Sequence, residues 1–181
     1  MLTIQFDDFS EVRLATLKAG ELFAYSGSEG DSIGVVAENM DREYLIWLQL
    51  TGKNRFLLRS LQGINVGLSA PRVLRLGIQW ADLKLQIDEK AIKQAGIDPG
   101  IGCLLVDGHH PRIVTKFQQS NEAALDDIWA ISLRDWSRDR VGNGNYYCNS
   151  WRLIRVQDGT PPEVVAEFSP LPKAAVEPLR I

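Results

Sequence analysis

The feature that most restricts what this chain can fold into is an apolar–polar alternation of period two. In "LKLQID", Leu83, Leu85 and Ile87 alternate with Lys84, Gln86 and Asp88. Successive side chains of an extended strand point to opposite sides, so three apolar groups share one face and three polar groups the other. "RVLRLGIQW" repeats the pattern with Leu74, Leu76, Ile78 and Trp80, and Gly77 inside it signals a bulge or a close backbone approach. "EYLIWLQL" is apolar on both faces, with Tyr44, Ile46, Leu48 and Leu50 against Leu45 and Trp47. That is the pattern of a central strand covered on both sides. Further strands are expected at residues 2–6, 12–17, 22–25, 33–38, 55–59, 103–106, 112–117, 128–133, 146–156 and 164–168. Turn signals such as "SGSEGDS", "LTGKN", "GHHP", "GNGN" and "QDGTPP" separate them. Many short strands between such turns predict a mainly β fold, with barrel- or sandwich-like antiparallel sheets.

Helix signals are sparse. "DEKAIKQAG" offers Asp88 as N-cap, Ala91, Ile92 and Ala95 as a short apolar stripe, and Gly96 as a stop. "SNEAALDD" has the pattern of one helical turn begun by Ser120. Residues 1–168 are expected to form a single compact β unit. Residues 169–181 hold three prolines, which lack a donor N–H, and are expected to form an extended tail.

One phrase is written twice. "LKAGELFAYSG" at residues 17–27 and "IDPGIGCLLVDG" at 97–108 both place a turn and a glycine before an apolar run and a second glycine. Gly20 aligns with Gly100, Gly27 with Gly108, and Trp47 with Trp129 further on. A repeat of this length is a duplicated subdomain rather than a solenoid unit. Two related β halves are expected, at residues 17–88 and 97–168.

The side chains that could carry chemistry are few. Asp107, His109 and His110 lie in "DGHHP", and these are the only two histidines. Imidazole is a common metal ligand and acid–base group, so this loop, with Cys148 as a further partner, is the candidate centre for a small metal-assisted or hydrolytic enzyme. No metal motif surrounds His109 and His110, adjacent residues in a loop point different ways, and a plain turn accounts for them. No metal and no cofactor is expected. Cys103 and Cys148 form neither a metal-type cluster nor a disulfide framework. Both read as small buried residues of a cytoplasmic protein. No apolar run approaches the ~20 residues that span a bilayer, and no membrane association is expected.

Charge is unevenly spread although the formal net charge is only -3. Residues 1–50 carry nine acidic side chains against three basic ones, a net of -6, whereas the stretch from Lys53 to Arg75 has five bases and no acid. Arg55, Arg59, Arg72 and Arg75 are therefore candidates to bind an anionic ligand or a nucleic acid. The overall acidity counts against nucleic acid, and cross-strand pairing with the acidic region is the internal alternative. Trp136 and Trp151 sit beside arginines, the composition of interface hot spots, and plain packing in the core or on the surface is the alternative that weighs more. The function expected first is a non-catalytic binding or protein-interaction module of an intracellular complex, with another protein as partner. The enzyme and the anion binder are the alternatives.

Overall fold

The computed structural model describes residues 10–27, 30–40, 44–62, 71–79, 82–94, 99–106, 110–118, 128–141, 146–156, 159 and 161–169. In chain order the strands are β1 (Ser10–Arg13), β2 (Glu21–Gly27), β3 (Gly30–Met40), β4 (Tyr44–Gln49) and β5 (Leu57–Gln62). They continue with β6 (Arg72–Gln79), β7 (Leu83–Ile87), β8 (Ile92–Gln94), β9 (Leu104–Leu105) and β10 (Arg112–Phe117). The last five are β11 (Ile128–Ser132), β12 (Arg138–Arg140), β13 (Tyr146–Cys148), β14 (Trp151–Arg155) and β15 (Glu163–Phe168). Helical geometry among the described residues is confined to two 3-10 turns, Leu14–Thr16 and Glu89–Ala91.

Twelve strands form one large mixed sheet, and β15, β14 and β7 form a smaller antiparallel one. The arrangement is sandwich-like and is not a closed barrel. A central core, including Leu48, Phe56, Leu76, Leu104, Ile131, Trp136, Trp151 and Leu153, draws on both sheets. The alternation explains how one sheet serves two layers. On β4, Ile46 and Leu48 enter the central core, whereas Leu45 and Trp47 enter a second cluster with Leu14, Leu17, Phe23 and Val36. A third cluster of Cys103, Leu105, Val114 and Ala130 lies on the corresponding side of the later strands.

The strand order has an internal regularity. The path β1-β6-β2-β3-β4-β5 is followed, through a short parallel contact of β5 with β10, by strands ordered β8-β13-β9-β10-β11-β12. Adding seven to each number of the first series gives the second, and every pairing within both is antiparallel. Local details coincide as well. Gly20 (φ 84) donates its N–H to Val36 O, and Gly102 (φ 89) donates to Val114 O, both at 2.8 Å. Leu22 pairs with Val35 as Leu104 pairs with Ile113. Phe56 (φ 65) and Trp136 (φ 64), the described non-glycine residues with positive φ, both follow the β4-type strand and precede the β5-type strand. Two expected alignments shift. Gly20 corresponds to Gly102 rather than Gly100. Trp47 lies opposite Val36 while Ala130 lies opposite Val114, so the counterpart of Trp47 is Ala130. Trp129 is one step along and therefore faces the other way, onto the central core.

Other expectations meet the structure as follows. Gly77 has φ 64, beside the register shift where β2 crosses β6, as its place in the strand pattern implied. Asp88 caps as expected, its carboxylate accepting from Lys90 N at 3.0 Å. The helix expected after it is one 3-10 turn, after which Ile92–Gln94 pairs with β13 as an edge strand. The expected strand at 146–156 is two, split at Asn149 and Ser150, with β13 in the large sheet and β14 in the small one. The strand expected at 12–17 ends at Arg13, where the 3-10 turn begins. The strand at 2–6, the turn from Ser120, Trp80, Gly108 and the tail beyond Ser169 lie outside the described residues.

Gly102 sits where three rings meet. A Cβ there would lie 2.6 Å from the Phe168 ring and 2.8 Å from the Phe56 ring, and its φ is left-handed. Gly30 has φ +100, and a Cβ there would meet nothing within 4 Å. Backbone strain alone acts at Gly30, whereas strain and overpacking act together at Gly102. Gly30→Ala is expected to cost about 1 kcal/mol and Gly102→Ala about 3 kcal/mol. Urea unfolding of the two variants checks the difference; equal costs would show that the ring contacts at Gly102 are slack.

Candidate functional site

The turn between β4 and β5 begins from a buried glutamine. Gln49 ends β4, and an amide in that position must find partners for its oxygen and its nitrogen. Its Oε1 accepts from Tyr25 Oη at 2.8 Å, and its Nε2 donates to Thr51 O at 2.9 Å and to Ser32 Oγ at 3.2 Å. Thr51 Oγ1 accepts from Ile33 N at 2.8 Å. Gly52 (φ +85) packs so closely that a Cβ would stand 2.5 Å from Ser32 Oγ. The turn is thus fastened to β2 and β3, and it presents Thr51, Gly52 and Arg55 on a fixed frame. The Arg55 guanidinium lies 5.8 Å from the centre of the Phe56 ring.

Opposite this turn runs β15, an outer strand of the small sheet. Between them is an open groove of about 510 Å³, lined by Leu50, Thr51, Gly52 and Arg55 on one side and Val164, Val165, Ala166 and Glu167 on the other. β15 carries a β-bulge at Val165, where Leu153 faces Ala166 and Ile154 faces Val164, and the groove touches the four consecutive residues around it. Among the described residues β15 pairs only with β14. Arg55 stands at one wall and Glu167 at the other.

The residues singled out from sequence are dispersed. Arg55 lines the groove. Arg72 pairs with Glu11 at 2.7 Å and Arg75 with Glu21, both across strand pairs, and Arg59 is half-buried and engaged. The cross-strand alternative therefore describes Arg72 and Arg75. The Arg72–Glu11 pair is well exposed and adds little stability. Trp136 and Trp151 are each 3% exposed and belong to the central core, so the packing alternative describes them and the binding candidacy of both rings as surface anchors is corrected. The cause is the strand period: at Trp151–Arg152 the ring turns inward and the guanidinium outward. Trp151 Nε1 donates to Gly102 O at 2.8 Å.

Asp107 and His109 lie outside the described residues. His110 Nε2 lies at 2.5 Å from an Arg134 guanidinium nitrogen. A guanidinium can only donate, so the imidazole accepts there and that lone pair is used. Cys148 is fully buried, with Sγ donating to Ser150 O at 3.0 Å, and burial pushes its pKa up. Burial also raises the pKa of Cys103. Both hold the thiol form, which is the unreactive one. No group of three potential metal ligands occurs among the described residues.

Two features had no sequence signal strong enough to find them. Arg138 on β12 lies 4.5 Å from the Trp129 ring centre and 5.6 Å from that of Phe117, with its Nε 3.5 Å from Glu38. It bridges β12 to β3 through a cation–π stack and an ion pair. Arg155, 8% exposed, stands directly across from Glu163. The buried Arg155 Nε and Glu163 Oε1 have no hydrogen-bond partner among the described residues.

Two measurements follow. The folded protein is expected to react negligibly with a disulfide reagent at neutral pH, and the unfolded chain to yield both thiols; a rapid native reaction would reveal an accessible thiolate. In the β11–β12 turn, Asp135 accepts from Ser137 Oγ at 2.8 Å and from Ser137 N at 3.1 Å. The Ser137 hydroxyl foremost, then Ser132, lowers its pKa from 3.8 to about 2. A depressed carboxylate stabilises the folded form above its unfolded pKa and loses that contribution as the pH falls through its folded value. NMR titration should therefore find Asp135 still ionised near pH 3 and protonated below about 2. The described helices include none long and apolar enough to cross a membrane. No family model, no curated protein and no solved structure matches this chain.

Proposed function

We propose that this chain is a non-catalytic protein-interaction module of an intracellular complex, which takes an extended segment of a partner protein into the groove between the β4–β5 turn and β15. The observation that carries this reading is the groove itself, one wall of which is a strand edge. An edge of this kind gives affinity through main-chain hydrogen bonds, and side-chain pockets give selectivity. Arg55 selects an acid in the partner and Glu167 a base. Preorganisation of the wall through Gln49 lowers the ordering cost on binding. The capped Cys148 thiol and the Arg134 contact on His110 Nε2 favour binding over catalysis.

The same reading takes the module to be a product of internal duplication. Its support is the shared strand order and the matched positions Gly20/Gly102 and Phe56/Trp136. The repeating units are then best placed at β1–β7 and β8–β14, with β15 added to the second.

A display library of extended peptides, selected against the full chain, tests the groove. Selected peptides are expected to carry an acidic residue and to lose about tenfold in affinity against Arg55→Glu, with Arg72→Glu as an unaffected control. Selected peptides that bind equally well to Arg55→Glu, or that map to another surface by NMR, would overturn the assignment.

A further inference from the structure

We infer that Tyr44, Phe117, Trp129 and Glu38 form a binding site for a guanidinium-type cation, which Arg138 of the same chain fills as a latch on the seam between β3 and β12. The two strand series meet at two seams, and the seams are closed differently. At the first, β5 runs parallel to β10, with Leu57 across from Lys116, Leu58 across from Phe117, and Gln118 N donating to Leu58 O at 2.8 Å. β12 holds the place of β5 in the second series, and β3 holds that of β10 in the first. The meeting of β12 with β3 is the counterpart of that seam, yet among the described residues it has no ladder. Side chains close it instead. Thr115 and Glu38 hold corresponding places, opposite Trp129 and Ile46. The Thr115 hydroxyl crosses the first seam to Phe56 O at 2.6 Å, and the Glu38 carboxylate crosses the second to Arg138 Nε at 3.5 Å.

Arg138 stands where the first series has Leu58: Arg138 lies across from Ile131, and Leu58 across from Leu48. Leu58 is fully buried among apolar groups. A guanidinium in the same position needs another lining, and three strands supply it. The Arg138 guanidinium lies 4.5 Å from the ring centre of Trp129 on β11, 5.6 Å from that of Phe117 on β10 and 6.0 Å from that of Tyr44 on β4. Arg140 lies over the Trp129 ring at 5.7 Å, and only Arg138 meets all three rings. Ring faces attract a cation, most strongly where water is displaced, and these rings belong to the central core or pack against it. Glu38 adds the opposite charge. The occupant is nevertheless held loosely. At 3.5 Å the ion pair is longer than a hydrogen bond, and the Arg138 and Glu38 side chains are 21% and 25% exposed, so a small solute reaches the site. β12 itself has three residues and pairs only with β11 among the described residues. The cage stands on β3, β4, β10 and β11 and does not need β12 to hold its shape. None of its residues lines the groove.

The probe is ethylguanidinium, with neutral ethylurea of similar shape as the control, both added to the full-length chain. Arg138→Ala empties the cage. Its melting temperature is expected to rise saturably with ethylguanidinium and not with ethylurea, and the Trp129 indole N–H signal to shift over the same range. Adding Glu38→Gln to that variant should weaken the binding about fivefold, the size of one exposed ion pair. In the parent chain the same ion competes with the latch, so hydrogen exchange should quicken at the amides of 138–140 and not at those of 57–59, relative to ethylurea. Three results overturn the inference: no saturable stabilisation of Arg138→Ala, equal stabilisation by ethylurea, or the same exchange at 138–140 in both compounds. Should Arg138→Ala not fold, the exchange measurement on the parent chain decides alone.

Discussion

The structure depends on the junction around Phe56. Its φ of 65 places a bulky side chain in the left-handed region, which costs an ordinary residue about 1–2 kcal/mol. Such a conformation persists only where the surroundings over-determine it. Here they do. The Phe56 carbonyl accepts from the buried Thr115 hydroxyl at 2.6 Å, and its N–H donates to Gln49 O at 2.6 Å. Its ring meets Trp151 edge-on at 5.3 Å and Phe168 at 5.5 Å, over the bare Cα of Gly102. One residue thereby ties the β4–β5 turn to β10, to the β9 entry and to the small sheet.

That junction also positions the surfaces on which the functional reading rests. Arg55 adjoins Phe56, and Phe168 ends β15, so the ring contact between Phe56 and Phe168 sets how the two walls of the groove stand to each other. The chemistry inside the molecule points the same way. Thiols that hold their protons, an imidazole occupied by a guanidinium and arginines paired across strands are arrangements that settle a structure. Two outer strands, β7 and β15, flank the same central strand β14 among the described residues.

Much of the fold was legible because half-buried strands print their period on the sequence. β10 was read at its observed bounds, and β2, β3, β4, β6 and β7 within a few residues. The strands that were missed lack that print. β12 is "RDR", whose Arg138 packs its charged head on aromatic rings, a use no hydropathy pattern distinguishes from exposure. β8 is exposed throughout and reads as well for a helical turn. The break at Asn149–Ser150 was hidden because the alternation on either side is good, and only the choice of sheet separates β13 from β14. The candidate site was less legible still. Arg55 was one of several arginines, and nothing local separates it from Arg72 or Arg75, whose partners lie 61 and 54 residues away.

The sequence by itself determined the class of structure. Alternation dictates strands, and a glycine after a polar turn dictates where the chain may bend into a buried run. It also placed the two copies of that phrase in corresponding strands, although two residues out of step. Tertiary structure decided which strands lie at the outside of each sheet among the described residues, which arginines are paired and which tryptophans are inside. The physical reason is range. Strand period and turn geometry are settled by neighbours a few residues apart. The β7–β14 ladder joins residues 64 to 72 positions apart, while the Phe56–Phe168 ring contact and the groove between the β4–β5 turn and β15 join residues more than a hundred apart, and only packing brings them together.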